Sequence, residues 1–298
     1  MIYDLIIIGS GPAGISASLY AKRANLNVLI ISKEEGNLKK AEKIENYYGL
    51  EDSINGKELQ KIGEKQAKNL GIEIKQEEVM QIEKGKTFFV NTLNHKYESK
   101  TVILATGSTK KTVNIKGIKE LEGRGISYCA TCDAYFFKGK NVGVLGNKEY
   151  AIHEIEQLLP IVSTVTMLTN GEEPIEKRLD KIDIEEKRIR EFRGINRIEE
   201  IEFEDNTTKK IDGVFVAIGT ASSSDLARKL GVVIDDKDNI KVDNQMKTNV
   251  EGLFACGDCI GGVLQISKAV YEGMIAGMSA IEFVKIKKQN INREGENI

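Results

Sequence analysis

The sequence predicts an α/β fold class: two nucleotide-binding, Rossmann-like domains of the three-layer ββα kind, the first interrupted by the second. Three stretches predict it. GSGPAG (9–14) stands between a strand-like run and a helix-like run. GVLGNKEYA (143–151) holds the same kind of place mid-chain, between NVGV (141–144) and AIHEIEQLL (151–159). GLFACGDCI (252–260) closes an apolar run on Gly257-Asp258 and leads into a long amphipathic segment.

The N-terminal elements carry the strongest signal. Tyr3 to Ile8 is a β-rich apolar run, Ile15 to Ala24 has helical spacing, and Asn27 to Ile31 completes a βαβ unit. In that context each glycine has a task. Gly9 permits a tight turn, Gly11 lets backbone approach a pyrophosphate, and Gly14 lets helix pack on strand. The helix start offers free N–H groups and a positive dipole end to phosphates. The acid expected at the end of the second strand is replaced by Ser32, with Glu34 and Glu35 just beyond. Further on, TVILATGS (101–108) is an apolar strand ending in small residues, and GVFVAIGT (213–220) repeats that pattern. A helix is expected from Leu264 to about Lys288, followed by a polar tail expected to fray. Together these motifs describe an FAD domain at 1–109 and 243–298, interrupted at 110–242 by a CxxC-bearing insert with a degenerate nucleotide loop.

Bulk properties bound the function. The chain has 298 residues, 41% of them hydrophobic, enough for two ordinary cores. A net charge of −2 gives no basic field for nucleic acid. No run reaches the roughly 18 apolar residues of a membrane span, and the opening apolar stretch is too short for a signal peptide. The expected location is the cytoplasm, where cysteines stay reduced unless their chemistry is redox work. The four cysteines form two C-x-x-C pairs, Cys129/Cys132 and Cys256/Cys259. Structural zinc sites separate their pairs by roughly 12–20 residues, so no metal site is expected here. His95, in a hairpin, and His153, on a helix, are expected at the surface.

The redox chemistry is expected in SYCATCDAYFF (127–137). Two cysteines at a helix start can close a small disulfide and share a depressed thiol pKa, and Asp133 follows at once as a proton carrier. CATCD, together with GSGPAG, ENYYG (45–49), ILATG and the late GD, resembles the low-molecular-weight thioredoxin reductase family over nearly the whole chain. The resemblance implies a homodimeric FAD enzyme whose second domain bears a redox disulfide. It implies that Cys132 faces the flavin, Cys129 attacks the disulfide of thioredoxin, and Asp133 is the acid. It places Asn46 near the isoalloxazine, Asp258 near the ribitol, and Gln265 with Ile266 near the pyrimidine edge. The cofactor-binding candidates are thus Gly9, Ser10, Gly11, Pro12, Ala13, Gly14, Ser32, Lys33, Gly36, Asn37, Asn46, Val79, Thr106, Gly107, Gly257, Asp258, Gln265 and Ile266. Gly36-Asn37 falls where the family has a longer Gly-Gly-Gln loop. Cys256 and Cys259 are read as small apolar packing residues, with a second redox pair as the alternative.

The electron donor turns on the middle loop. Reductases of this kind that use NADPH carry G-x-G-x-x-A there and an HRR-x-x-x-R cluster one strand later. This chain has Gly146-Asn147-Lys148-Glu149-Tyr150-Ala151, then Thr169-Asn170-Gly171-Glu172-Glu173. Asn147 and Lys148 obstruct the approach a pyrophosphate needs, and the arginine fork is absent. Each missing charged hydrogen bond costs about 1.5–3 kcal/mol, so two losses weaken binding about a hundredfold or more. The combination resembles the pyridine-nucleotide-independent branch, the ferredoxin-dependent flavin thioredoxin reductases, which implies reduced ferredoxin as donor. Ferredoxins are acidic, and Lys33, Lys39, Lys40 and Lys43, or Lys138 and Lys140, could form a basic dock. The alternatives are an NAD(P)H-dependent reductase with an atypical pocket and a flavin-binding redox sensor. Hinges are expected near Ser108–Thr112 and Lys241–Lys247.

Overall fold

A computed structural model describes the chain except for residues 34–35, 108–113, 175–181, 220–221 and 296–298. β1 (Ile2–Ile8), α1 (Pro12–Arg23) and β2 (Val28–Ile31) make the expected βαβ unit, with Leu5 opposite Val28 in a parallel pair. Both strands are almost wholly apolar because a parallel strand is covered on both faces. α2 (Gly56–Asn69) is capped by the Asn55 side chain, which accepts from Glu58 N–H. β3 (Glu73–Lys75) adds to the outer edge of β2. β4 (Val79–Lys84), β5 (Phe88–Thr92) and β6 (Lys96–Leu104) form an antiparallel meander. β6 also runs parallel to β1, Leu5 opposite Thr101. His95 lies in the β5–β6 turn, exposed and 3.1 Å from Glu77, as expected.

The second unit opens with β7 (Ile126–Ser127) and the single turn α3 (Ala130–Asp133). β8 (Asn141–Leu145), α4 (Glu149–Leu158) and β9 (Thr164–Leu168) repeat the βαβ pattern. β10 (Asp183–Glu185) pairs with β9, and β11 (Ile189–Arg193), β12 (Glu200–Phe203) and β13 (Thr208–Lys210) form a separate antiparallel sheet. β14 (Gly213–Val216) then enters between β8 and β7, completing a parallel sheet of order β10-β9-β8-β14-β7. Phe192, Phe203 and Val214 belong to one buried cluster, so the two sheets share a core.

The chain then returns to the first unit. α5 (Ser223–Lys229) starts in a capping box made by Ser222 and Asp225. β15 (Leu253–Ala255) pairs with the last residues of β6, giving the first sheet the order β3-β2-β1-β6 with β15 and the meander on the far edge. α6 (Ile266–Gly295) packs against α1 and runs past the expected end near Lys288. The fold class is therefore the predicted one, and each unit combines a parallel sheet, antiparallel strands and helices.

One boundary differs. The compact units are 1–109 with 222–298, and 110–221, so the second crossing lies earlier than the expected 242/243. Residues 222–242 are bound into the first unit: α5 packs on β4, and Ile240 N–H donates to Cys259 O at 2.9 Å. Lys241–Lys247 likewise sits inside that unit, with Lys241 N–H on Val233 O at 3.0 Å. Ser108–Thr112 lies outside the described residues. Among the described residues, no helix is long and apolar enough to cross a membrane.

Candidate active site

The first glycine loop has the geometry of a dinucleotide cradle. Gly9 has φ +110°, and a Cβ there would lie 2.3 Å from Ala105 O. At Gly14 a Cβ would lie 2.0 Å from Gly9 O, while Gly11 faces open space. Pro12 and Ala13 begin α1, which no side chain caps, so its first amides remain available to an anion. Ser10 lies behind the loop; its hydroxyl oxygen is 3.2 Å from both Ser32 Oγ and Glu64 Oε1, and its one proton can serve the carboxylate. Lys33 is ion-paired with Glu78, whereas Glu34 and Glu35 lie outside the described residues. Gly36 precedes a 3-10 turn, Asn37–Lys40, in which Lys40 Nζ donates to Asn37 Oδ1 at 2.9 Å.

The remaining candidates come from distant elements of the same unit. Asn46 Nδ2 donates to Gln265 Oε1 at 3.4 Å, which joins two predicted residues 219 positions apart. Ile266 begins α6, Val79 begins β4 and is buried, and Gly107 has φ +75°. The Thr106 hydroxyl bonds to that of Ser223. Gly257 has φ +81°, and its N–H donates to Glu272 Oε2 at 3.0 Å, with Asp258 next in a 3-10 turn. Lys268 bridges the carbonyl of Gly257 and the same carboxylate. Cys256 and Cys259 are both buried, and the Cys259 thiol donates to Leu104 O at 3.4 Å and Cys256 O at 3.2 Å. Burial pushes both thiols up, Cys259 to about 12, which suits packing and works against thiolate chemistry.

In the second unit Cys129 and Cys132 form a disulfide, with Cα atoms 5.3 Å apart. Cys129 sits at the N-cap of α3, where its sulfur accepts from Cys132 N–H at 3.1 Å. It is only 5% exposed, whereas Cys132 faces solvent. Attack by Cys129 on an outside disulfide therefore needs a rearrangement that uncovers it. Asp133 Oδ2 accepts from Ser127 Oγ at 2.7 Å, and Ser127 Oγ accepts from Cys129 N–H at 3.1 Å. Beneath the turn, buried Glu154 on α4 accepts from Ala130 N–H at 2.9 Å.

These two assemblies agree with what the chain matches. The model of the pyridine nucleotide-disulphide oxidoreductases matches residues 3–273. The chain belongs to that family. Among the oxidoreductases it is similar to, the thioredoxin reductase of Bacillus subtilis (strain 168) is 36% identical, with 95% of each chain covered. The atypical thioredoxin reductase of Desulfovibrio vulgaris Hildenborough superposes with a TM-score of 0.90 at 34% identity, over 95% of this chain and 98% of that one. A ferredoxin-flavin thioredoxin reductase of Clostridium acetobutylicum gives a TM-score of 0.74 at 34% identity, over 96% and 99%.

This oxidoreductase departs from its first cradle in the second glycine loop. Gly146 has φ +154°, and a Cβ there would lie 2.1 Å from Ala217 O, so the turn between β8 and α4 still needs glycine. The residues after it do not form a cradle. Asn147 Nδ2 donates to Glu173 O at 2.8 Å, which ties the loop to the turn after β9. Lys148 is the N-cap residue of α4, and Glu149 places a carboxylate in its first turn. The arginine argument needs a correction. No arginine stands at Thr169–Glu173, yet the Arg188 side chain lies over Gly171, where a Cβ would meet its Cγ at 2.7 Å. His153 is half-buried rather than at the surface.

Sequence reading missed Ser127, Glu154, Glu64, Glu272 and Arg188 as site residues. Only Glu154 left a signal, a carboxylate between Ile152 and Ile155 on the apolar face of α4.

Proposed function

We propose that this oxidoreductase reduces the disulfide of thioredoxin through Cys129 and Cys132, holds FAD in its first unit, and draws electrons from reduced ferredoxin rather than a nicotinamide. The observation that carries the donor reading is the hydrogen bond from Asn147 to Glu173 O across the second glycine loop. A pyrophosphate needs bare backbone there, and this loop presents a bonded side chain and Lys148. The likeness to a ferredoxin-flavin thioredoxin reductase supports it, although the Bacillus relative is named simply a thioredoxin reductase.

The first cradle fits FAD. Gly9 to Gly14 would take the pyrophosphate, Asp258 the ribitol, and Asn46, Gln265 and Ile266 the isoalloxazine. FAD, when bound, supplies two-electron exchange with a disulfide and accepts electrons singly or in pairs. The chain's own part is thiol–disulfide exchange. In the dithiol form the Cys129 thiolate attacks one sulfur of the thioredoxin disulfide, forms a mixed disulfide and expels one thiolate. Cys132 then attacks the Cys129 sulfur, expels the second thiolate and restores Cys129–Cys132. Two electrons and two protons pass to thioredoxin. The Asp133 carboxyl, oriented by Ser127, is placed to carry one of those protons.

In the first lysine cluster Lys33 pairs with Glu78, while Lys39, Lys40 and Lys43 are exposed, Lys43 beside Glu45. Lys39 and Lys40 are the proposed contact for an acidic donor. A homodimer remains part of the proposal. Arg188 favours a second reading, an NAD(P)H-dependent enzyme whose 2′-phosphate contact comes from the turn before β11.

Anaerobic mixing of the flavoprotein with NADPH, NADH or reduced ferredoxin separates the two. The proposal expects rapid bleaching of the flavin band with ferredoxin alone, followed by thioredoxin turnover. Equally rapid bleaching by NADPH establishes the second reading.

A further inference from the structure

β2 ends without the carboxylate that dinucleotide folds place against an adenosine ribose. Ser32 stands there, and its hydroxyl is engaged with that of Ser10 at 3.2 Å. A different element brings an acid to the same spot. On α2, Gln60 and Glu64 lie one turn apart and point at the first glycine loop. Gln60 is only 4% exposed; its amide donates to Ser10 O at 2.5 Å and to Glu64 Oε1 at 2.9 Å. Ser10 Oγ donates to the same Oε1 at 3.2 Å. A buried amide is costly unless its bonds are made, and these are made to the loop and the carboxylate. Oε1 is therefore held by two donors, while Oε2 accepts from none of the described residues. The result is an oriented, half-buried carboxylate with one free oxygen beside Ser10 and Ser32.

We infer that Glu64 is the ribose-binding acid of the first cradle, accepting from the hydroxyls of the FAD adenosine in place of the missing acid at the end of β2. This rests on the FAD reading above. Gln60 is its positioning residue.

The test uses the full chain freed of flavin and titrated with FAD and with FMN, which has the same ring system and no adenosine. Glu64→Gln is expected to weaken FAD binding about 10-fold or more, the scale of one charged hydrogen bond, and to leave FMN binding unchanged. Gln60→Leu should give a smaller loss in the same direction. Unchanged FAD affinity in Glu64→Gln overturns the inference, as does an equal loss for FMN, which signals general damage. A loss found only in Glu34→Gln also overturns it and returns the ribose to the acid near β2. Failure of the unaltered chain to bind FAD overturns the cradle reading itself, and this inference with it.

Discussion

A disulfide and the exposure of Cys132 separate two cysteine pairs that share one spacing. Cys132 is exposed and bonded to Cys129 at the start of α3, whereas Cys256 and Cys259 are enclosed under β6 with their thiols held neutral. Folding raises the Cys259 pKa from 9.0 to about 12, chiefly by burial. The unfolded chain therefore ionises first as pH rises. This contribution to stability is whole below pH about 9 and is lost as pH climbs from there toward about 12. Urea midpoints at pH 8 and 10.5 should differ less in a Cys259→Ala variant than in the parent. After reduction, iodoacetamide at pH 8 should label the exposed Cys132 and leave buried Cys129, Cys256 and Cys259 intact. Spacing alone gives both C-x-x-C pairs the same standing; the adjoining Asp133 separated them in the sequence, and the disulfide of the first pair separates them in the structure. Ser127, by contrast, lies two positions before Cys129, and its role was hidden because a serine there has no fixed meaning until the chain turns.

At the scale of elements, the helices and strands around the first cradle were legible because their patterns are local. GSGPAG sits between an apolar strand and a helix-spaced run, and α1 and β1 follow from that. The partners of the cradle were not legible. Glu64 reaches Ser10 across 54 positions, and Gln265 reaches Asn46 across 219. No periodicity encodes such meetings. The α1–α6 crossing is another case. A Cβ at Gly273 would lie 2.1 Å from Ala13 O, so glycine there sets how closely α6 can hold α1 and the cradle it begins. Gly273→Ala should cost about 1–3 kcal/mol by overpacking, lowering Tm by several degrees and weakening flavin retention. Thermal scans with and without added FAD check this. An unchanged Tm and unchanged flavin content would show that the crossing tolerates a methyl group.

For the whole molecule, the compact units change over between 221 and 222, whereas the sequence reading carried the insert on to 242. The reason is physical: α5 and the 230–242 segment have no motif of their own, and they join the first unit through packing of α5 on β4 and bonds from Val233 and Ile240 to the turns flanking β15. The two units differ at their glycine loops. One keeps an open glycine loop with an uncapped helix start, and the other keeps the strand–turn–helix path with its loop bonded shut by Asn147. That difference is the central claim, and an equilibrium titration of the oxidised protein with NADPH tests it most directly. The account predicts a Kd of about 1 mM or weaker, a binding free energy no better than about −4 kcal/mol. A Kd near 1 μM, abolished by Arg188→Ala, would contradict it and return the chain to nicotinamide chemistry.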